Sequence, residues 1–197
     1  MHPTYPTLAR QVAPGQAGLA WNVMLAIGGS LLLWASAKLQ VPFYPVPMTM
    51  QTFVVLVIGA AYGWRLGAAT VALYLLQGAL GMPVFAGTPE KGLGLAYMVG
   101  PTGGYLVGYL AAAAATGALA GMGCDRRAST AILSMLAGNV LIYALGLAWL
   151  GTVVGWDKPV LAWGLTPFLL GDLLKLALAA AALPLAWKLV SGHPSSE

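Results

Sequence analysis

The sequence predicts an all-α integral membrane protein: a compact bundle of six transmembrane helices with long, partly ordered first and third outer loops. Three observations carry that prediction. Of 197 residues, 59% are apolar. Only nine Lys or Arg and five Asp or Glu are present, 7% of the chain, against about 25% in a soluble domain. These few charges, together with proline-rich stretches, divide the chain into six apolar runs. A soluble globule needs a charged coat that these residues cannot supply. A mean hydropathy of +0.82 excludes a disordered chain, which would be polar. The net charge is +4, but the basic residues are scattered and form no nucleic-acid patch.

The runs follow in order. The first covers about residues 20–37 and stops at Lys38. Pro42, Pro45 and Pro47 follow within six residues and forbid regular helix. The second run, residues 49–62, is short for a span, and Arg65 marks the turn into the third, residues 66–80. An irregular stretch over 81–100 contains Glu90 and Lys91. The fourth run covers 101–122 and ends before Asp125-Arg126-Arg127. The fifth covers 130–154, before Trp156-Asp157-Lys158-Pro159, and the sixth covers 163–189. Residues 1–19 read as a short cytoplasmic N-terminal tail, 20–190 as the membrane domain and 191–197 as a cytoplasmic C-terminal tail. No cleaved signal peptide is expected, because no basic segment leads directly into an apolar one.

Orientation follows from Lys and Arg in the short connections. One side holds Arg10, Arg65, Arg126, Arg127 and Lys188; the other holds Lys38, Lys91 and Lys158. Both termini are therefore expected in the cytoplasm, with the proline-rich loop and the 81–100 loop outside. At the start of the fourth run and along it, Gly100, Gly104, Gly108, Ala112, Thr116 and Ala120 recur every four residues, along one helix face. Such a face permits close packing inside the bundle or the docking of another subunit.

Asp172 and Lys175 are three apart in the sixth run and share a helix face. Measured from the start of that run, Asp172 lies roughly 13 Å along the helix. Charge at such depth is costly and marks a site by default. The pair either fastens the bundle or offers an acceptor and a donor to one polar ligand. Outward helix N-termini of the second, fourth and sixth runs favour an anion nearby. Thr49 and Gln51 open the second run, and Gln51 reads as a satisfied bundle residue or a ligand contact. Lys91 reads as a solvated loop charge or a carboxylate partner. Tyr74, Tyr97, Tyr105 and Phe85 are more often packing aromatics than ligand contacts. Asn139 and Tyr143 share a face and read as packing. The two histidines, His2 and His193, lie near the termini, and the one cysteine, Cys124, beside a loop. No catalytic arrangement, phosphate loop or metal cluster is present in the sequence, and no cofactor is expected. Uphill transport driven by ATP would need another subunit.

These residues resemble those of a known family. Val41-Pro42 and Pro45-Val46-Pro47-Met48-Thr49-Met50-Gln51-Thr52 are similar to the first-loop signature of the BioY biotin transporters. Residues 78–87, Gly-Ala-Leu-Gly-Met-Pro-Val-Phe-Ala-Gly, and 100–105, Gly-Pro-Thr-Gly-Gly-Tyr, are similar to the third-loop signature. Gly171-Asp172-Leu173-Leu174-Lys175 resembles the last-helix motif. The resemblance covers about residues 20–190. It implies the biotin-binding S-component of an energy-coupling factor transporter in the inner membrane. It also implies a transmembrane coupling subunit, two ABC-type ATPases and membrane lipid as partners, and no nucleic acid. Asp172 and Lys175 are then ligand residues, supported by Gln51, Thr49, Gly103 and Tyr105, with Phe85 and Tyr97 covering the apolar middle of biotin. Some members have Arg after the Gly-Gly-Tyr, where this chain has Leu106; Lys91 becomes the expected carboxylate partner. An S-component for another small vitamin and a structural membrane protein are the alternatives.

Overall fold

The computed structural model describes residues 5–12, 15 and 18–191. His2, His193 and the outer parts of both tails lie outside the described residues. The elements in chain order are α1 (Leu8–Val12), α2 (Leu19–Lys38), β1 (Gln40–Val41), β2 (Met48–Thr49), α3 (Gln51–Ala79), α4 (Gly94–Met98), α5 (Gly103–Gly121), α6 (Ala128–Val154), α7 (Val160–Gly164), a 3-10 turn (Thr166–Phe168) and α8 (Leu169–Ser191). Five helical segments are long and apolar enough to cross a membrane: Leu19–Lys38, Gln51–Ala79, Gly103–Gly121, Ala128–Val154 and Val160–Val190. They leave large apolar side chains such as Leu133, Leu170, Leu173 and Leu189 on the outer surface, as a lipid-facing bundle does.

The second and third sequence runs fall inside one element, α3, which is not straight. Gly63 has φ 80° and ψ 170°, a combination essentially confined to glycine. Beyond it the chain folds back. Gln51 Nε2 donates to Tyr74 Oη at 2.7 Å across 23 residues, where a continuous helix would separate them by about 35 Å. A Cβ on Gly67 would stand 3.0 Å from the Gly59 Cα. The arm formed by residues 51–62 is about 18 Å long, which explains why the second run looked short.

The sixth run is also interrupted. Pro167 lies in the 3-10 turn before α8 and lacks the N–H that a continuous helix would use. Asp172 therefore stands in the first turn of α8, not nine residues along an unbroken helix. A carboxylate there is favoured by the helix N-terminal partial charge.

Helix α5 is the centre of the bundle, packed most extensively on α3 and α6. Its small-residue stripe is spent on those contacts. A Cβ on Gly108 would stand 2.8 Å from the Ile142 Cα, and one on Gly59 would meet the Ala113 Cα at 2.9 Å. The packing reading of the stripe fits these contacts. The two ends of the bundle separate the cations as the sequence divided them. Thr7 packs on Gly63, and the Tyr5 N–H donates to Gly121 O at 2.9 Å. This places the N-terminal segment, the α3 turn and the α5–α6 connection at one end. The two-stranded ribbon, with Gln40 opposite Thr49 and Val41 opposite Met48, lies at the other with the 80–102 loop.

Candidate functional site

The ribbon turns the chain into α3, so that Thr49, Gln51 and Thr52 face the start of α8. Lys175 Nζ donates to Thr49 O at 2.7 Å, to Thr52 Oγ1 at 3.0 Å and to Asp172 Oδ1 at 2.9 Å. An ammonium has three N–H donors, and all three are used. Asp172 also accepts from Thr52 Oγ1 at 3.3 Å and, through Oδ2, from the Tyr143 hydroxyl. Asp172 is 4% exposed and Lys175 8%. The pair is thus buried, neutral as a unit and fully hydrogen-bonded, the condition under which buried charge is tolerated. Oδ2 accepts one bond from the protein and so keeps capacity for a further donor.

A second chain of bonds fixes the cover. Gln51 donates to Tyr74, whose hydroxyl donates to Val84 O at 3.0 Å. Tyr97 donates to Ala86 O at 2.8 Å and stacks on Phe85 with centroids 4.9 Å apart. Burial pushes the Tyr97 phenol above its ordinary pKa, so it stays a donor. Lys38 Nζ donates to Phe85 O at 3.0 Å and to Thr88 O at 3.2 Å, pinning the 80–93 loop to the end of α2.

Between these two networks lies a cavity of about 40 Å³. It has room for water and is well below the roughly 300 Å³ of a small-molecule site. Thr49, Gln51, Tyr97, Tyr105, Asp172 and Lys175 line it. Three of the expected residues do not. Phe85 is buried behind Tyr97 and against Gly78. Gly103 lies beneath the α4 end, where a side chain would overlap Met98 O. Lys91 is exposed: the Lys91 N–H to Gly87 O turn at 2.9 Å folds its alkyl chain back over Gly87. It is not among the residues lining the cavity, for which it is expected from the sequence to supply the carboxylate partner.

The BioY family model matches residues 9–192 of this chain. The chain belongs to the BioY family. It is 38% identical to a probable biotin transporter BioY of Pyrococcus horikoshii over 73% of this chain and 82% of that one. It is 40% identical to the biotin transporter BioY of Thermotoga maritima, over 76% and 85% respectively. A crystal structure described as the S-component for biotin from an ECF-type ABC transporter shares the fold. It superposes with a TM-score of 0.70 at 21% identity, over 86% of this chain and 92% of that one.

In this BioY chain the cavity also uses residues that the sequence reading did not single out as ligand groups: Thr52, Tyr109, Tyr143 and Phe168. The signal for Tyr143 was its helical spacing from Asn139, which gave the face but not its neighbour on α8. Leu106, 4% exposed, lines the wall.

Proposed function

We propose that this chain is the biotin-binding S-component of an energy-coupling factor transporter and takes up biotin across the inner membrane. The observation that carries the reading is the bonded Asp172–Lys175 pair at the edge of a cavity closed by the first and third loops. A carboxylate and an ammonium side by side match the N–H and C=O groups of a ureido ring. Asp172 accepts a ureido N–H through Oδ2, and Lys175 gives up one protein acceptor to meet the ureido oxygen. Tyr97, Tyr105, Tyr109 and Phe168 cover the thioether ring and the apolar chain. Thr49 and Gln51 hold the α3 entrance in register. Phe85 and Gly103 act behind the lining, by supporting Tyr97 and letting α4 approach α5.

Biotin exceeds the present cavity, so binding moves the loops or the aromatic side chains. The α3 hairpin makes two passes, giving a six-helix domain over residues 20–190. The end carrying Arg10, Arg65, Arg126, Arg127 and Lys188 is cytoplasmic, with both termini. A transmembrane coupling subunit and two ABC-type ATPases supply the energy. Titration of the purified chain with labelled biotin tests the reading, with a panel of other vitamins as competitors. Saturable binding displaced by unlabelled biotin alone is expected. Displacement by another vitamin, or no saturable binding, overturns it. Uptake with and without the ATPase subunits then tests the partners.

A further inference from the structure

We propose that the cavity recognises only the ureido end of its ligand, so that the protein also takes ureido compounds whose tail is uncharged, such as esters and amides of biotin. The inference rests on the biotin reading above and concerns which part of the ligand is read. All nine Lys and Arg lie among the described residues. Lys175 alone among them lines the cavity, its charge is balanced by Asp172, and its three donors are engaged. Lys38 is engaged with Phe85 O and Thr88. Lys91 is exposed along Gly87, and Lys158 pairs with Asp157 on the surface at 2.9 Å. The remaining five cations belong to the opposite end.

The rest of the lining is uncharged: Val46, Leu106, Ile142 and Phe168 stand beside Thr102 and the phenols of Tyr97, Tyr105 and Tyr109, and the Tyr97 and Tyr105 hydroxyls are already spent on Ala86 O and Gly164 O. A carboxylate inside it meets no unbalanced cation and is disfavoured by desolvation. A carboxylate projecting past the loops meets water. Neither arrangement rewards the charge. The positive elements nearby are the N-termini of α3, α5 and α8; that of α8 already faces Asp172, and that of α5 at the solvated rim by Thr102 leaves a preference of about fivefold. Leu106 is then the specificity-determining position, since a cation placed there would face the tail.

The test is competition against labelled biotin on the purified full chain with biotin, its methyl ester and its primary amide. Leu106→Arg is measured alongside, and Thr102→Lys at the half-buried rim serves if the first variant does not fold. In the native chain the ester and amide should bind within about fivefold of biotin. In either variant the free acid should gain at least about tenfold over the ester. Biotin binding with the ester more than about tenfold weaker in the native chain overturns the inference and leaves the biotin reading standing. Absence of any biotin binding overturns the biotin reading itself.

Discussion

Two buried carboxylates sit near opposite ends of α8 and are treated differently. Asp172, in the first turn, is bonded to an ammonium and two hydroxyls and borders a cavity. Asp125 lies beside the last turns, 2% exposed, and accepts from Trp187 Nε1 at 2.6 Å, while Oδ1 has no side-chain partner among the described residues. Its neighbour Arg126 makes no salt bridge with it. The guanidinium instead stands over two rings, 4.6 Å from Tyr5 and 4.2 Å from Trp187. The first cluster is complete and adjoins space. The second is incomplete and filled with aromatic packing. Burial of charge alone therefore does not distinguish a candidate ligand site; in the proposed reading, balanced bonding beside a cavity does. The Asp125 cluster reads as a clamp between the N-terminal segment, the α5–α6 connection and α8.

The strongest way to break this contrast is to unbalance the first cluster. Lys175→Met leaves a buried carboxylate without its cation, and Asp172→Asn leaves the converse; each should cost about 3–5 kcal/mol of stability. Each should also weaken biotin binding by about a hundredfold or more, since a desolvated polar site discriminates strongly when one member is lost. The double variant Asp172→Asn/Lys175→Met separates fastening from recognition. It should regain most of the stability, because a neutral pair carries no charge-desolvation penalty, and none of the affinity. Thermal unfolding in detergent and biotin titration read both quantities. A double variant that binds like the native chain would reduce the pair to a fastener and erase the contrast with Asp125.

A smaller effect is expected one bond away. Tyr143→Phe removes the hydroxyl that holds Asp172 Oδ2 and keeps the ring against Tyr105 and Phe168. A hydrogen bond to a charged group contributes about 1.5–3 kcal/mol. Part of that is recovered if ligand or water takes the freed lone pair. Biotin affinity should fall roughly tenfold with little change in unfolding temperature. An unchanged affinity would show that Tyr143 only packs, as its spacing from Asn139 first indicated.

The membrane class was legible because it depends on sums. Fourteen charges in 197 residues cannot coat a soluble protein wherever they fall. The Asp172–Lys175 pair was legible because its partners are three residues apart. What stayed hidden depends on long-range pairing. The α3 hairpin needs Gln51 to meet Tyr74, the clamp needs Trp187 to meet Asp125 across 62 residues, and Tyr143 meets Asp172 across 29. No local period encodes those meetings. Lys91 shows the reverse case. It lies in the 81–100 loop, but the Gly87 turn that lays its alkyl chain along the backbone is a detail that charge spacing does not carry.

The smallest expected effect lies at the clamp, and its sign follows from burial. Burial raises the Asp125 carboxyl above its ordinary pKa, and the Trp187 and Arg126 contacts oppose the rise without cancelling it. A folded pKa above the unfolded one means that the folded state holds the proton more tightly. The resulting stabilisation is full below the unfolded value of about 4 and is lost as pH rises through the raised value. Unfolding temperature should therefore decline modestly from mildly acidic pH toward neutrality. Asp125→Asn keeps an acceptor for Trp187 Nε1 and should flatten this segment of the curve. Biotin affinity at neutral pH should not change, since α8 separates Asp172 from Trp187 by about 22 Å. A loss of affinity in Asp125→Asn would couple the two ends and turn the clamp into part of the transport machinery; an unchanged slope would mean that Asp125 does not titrate in this range.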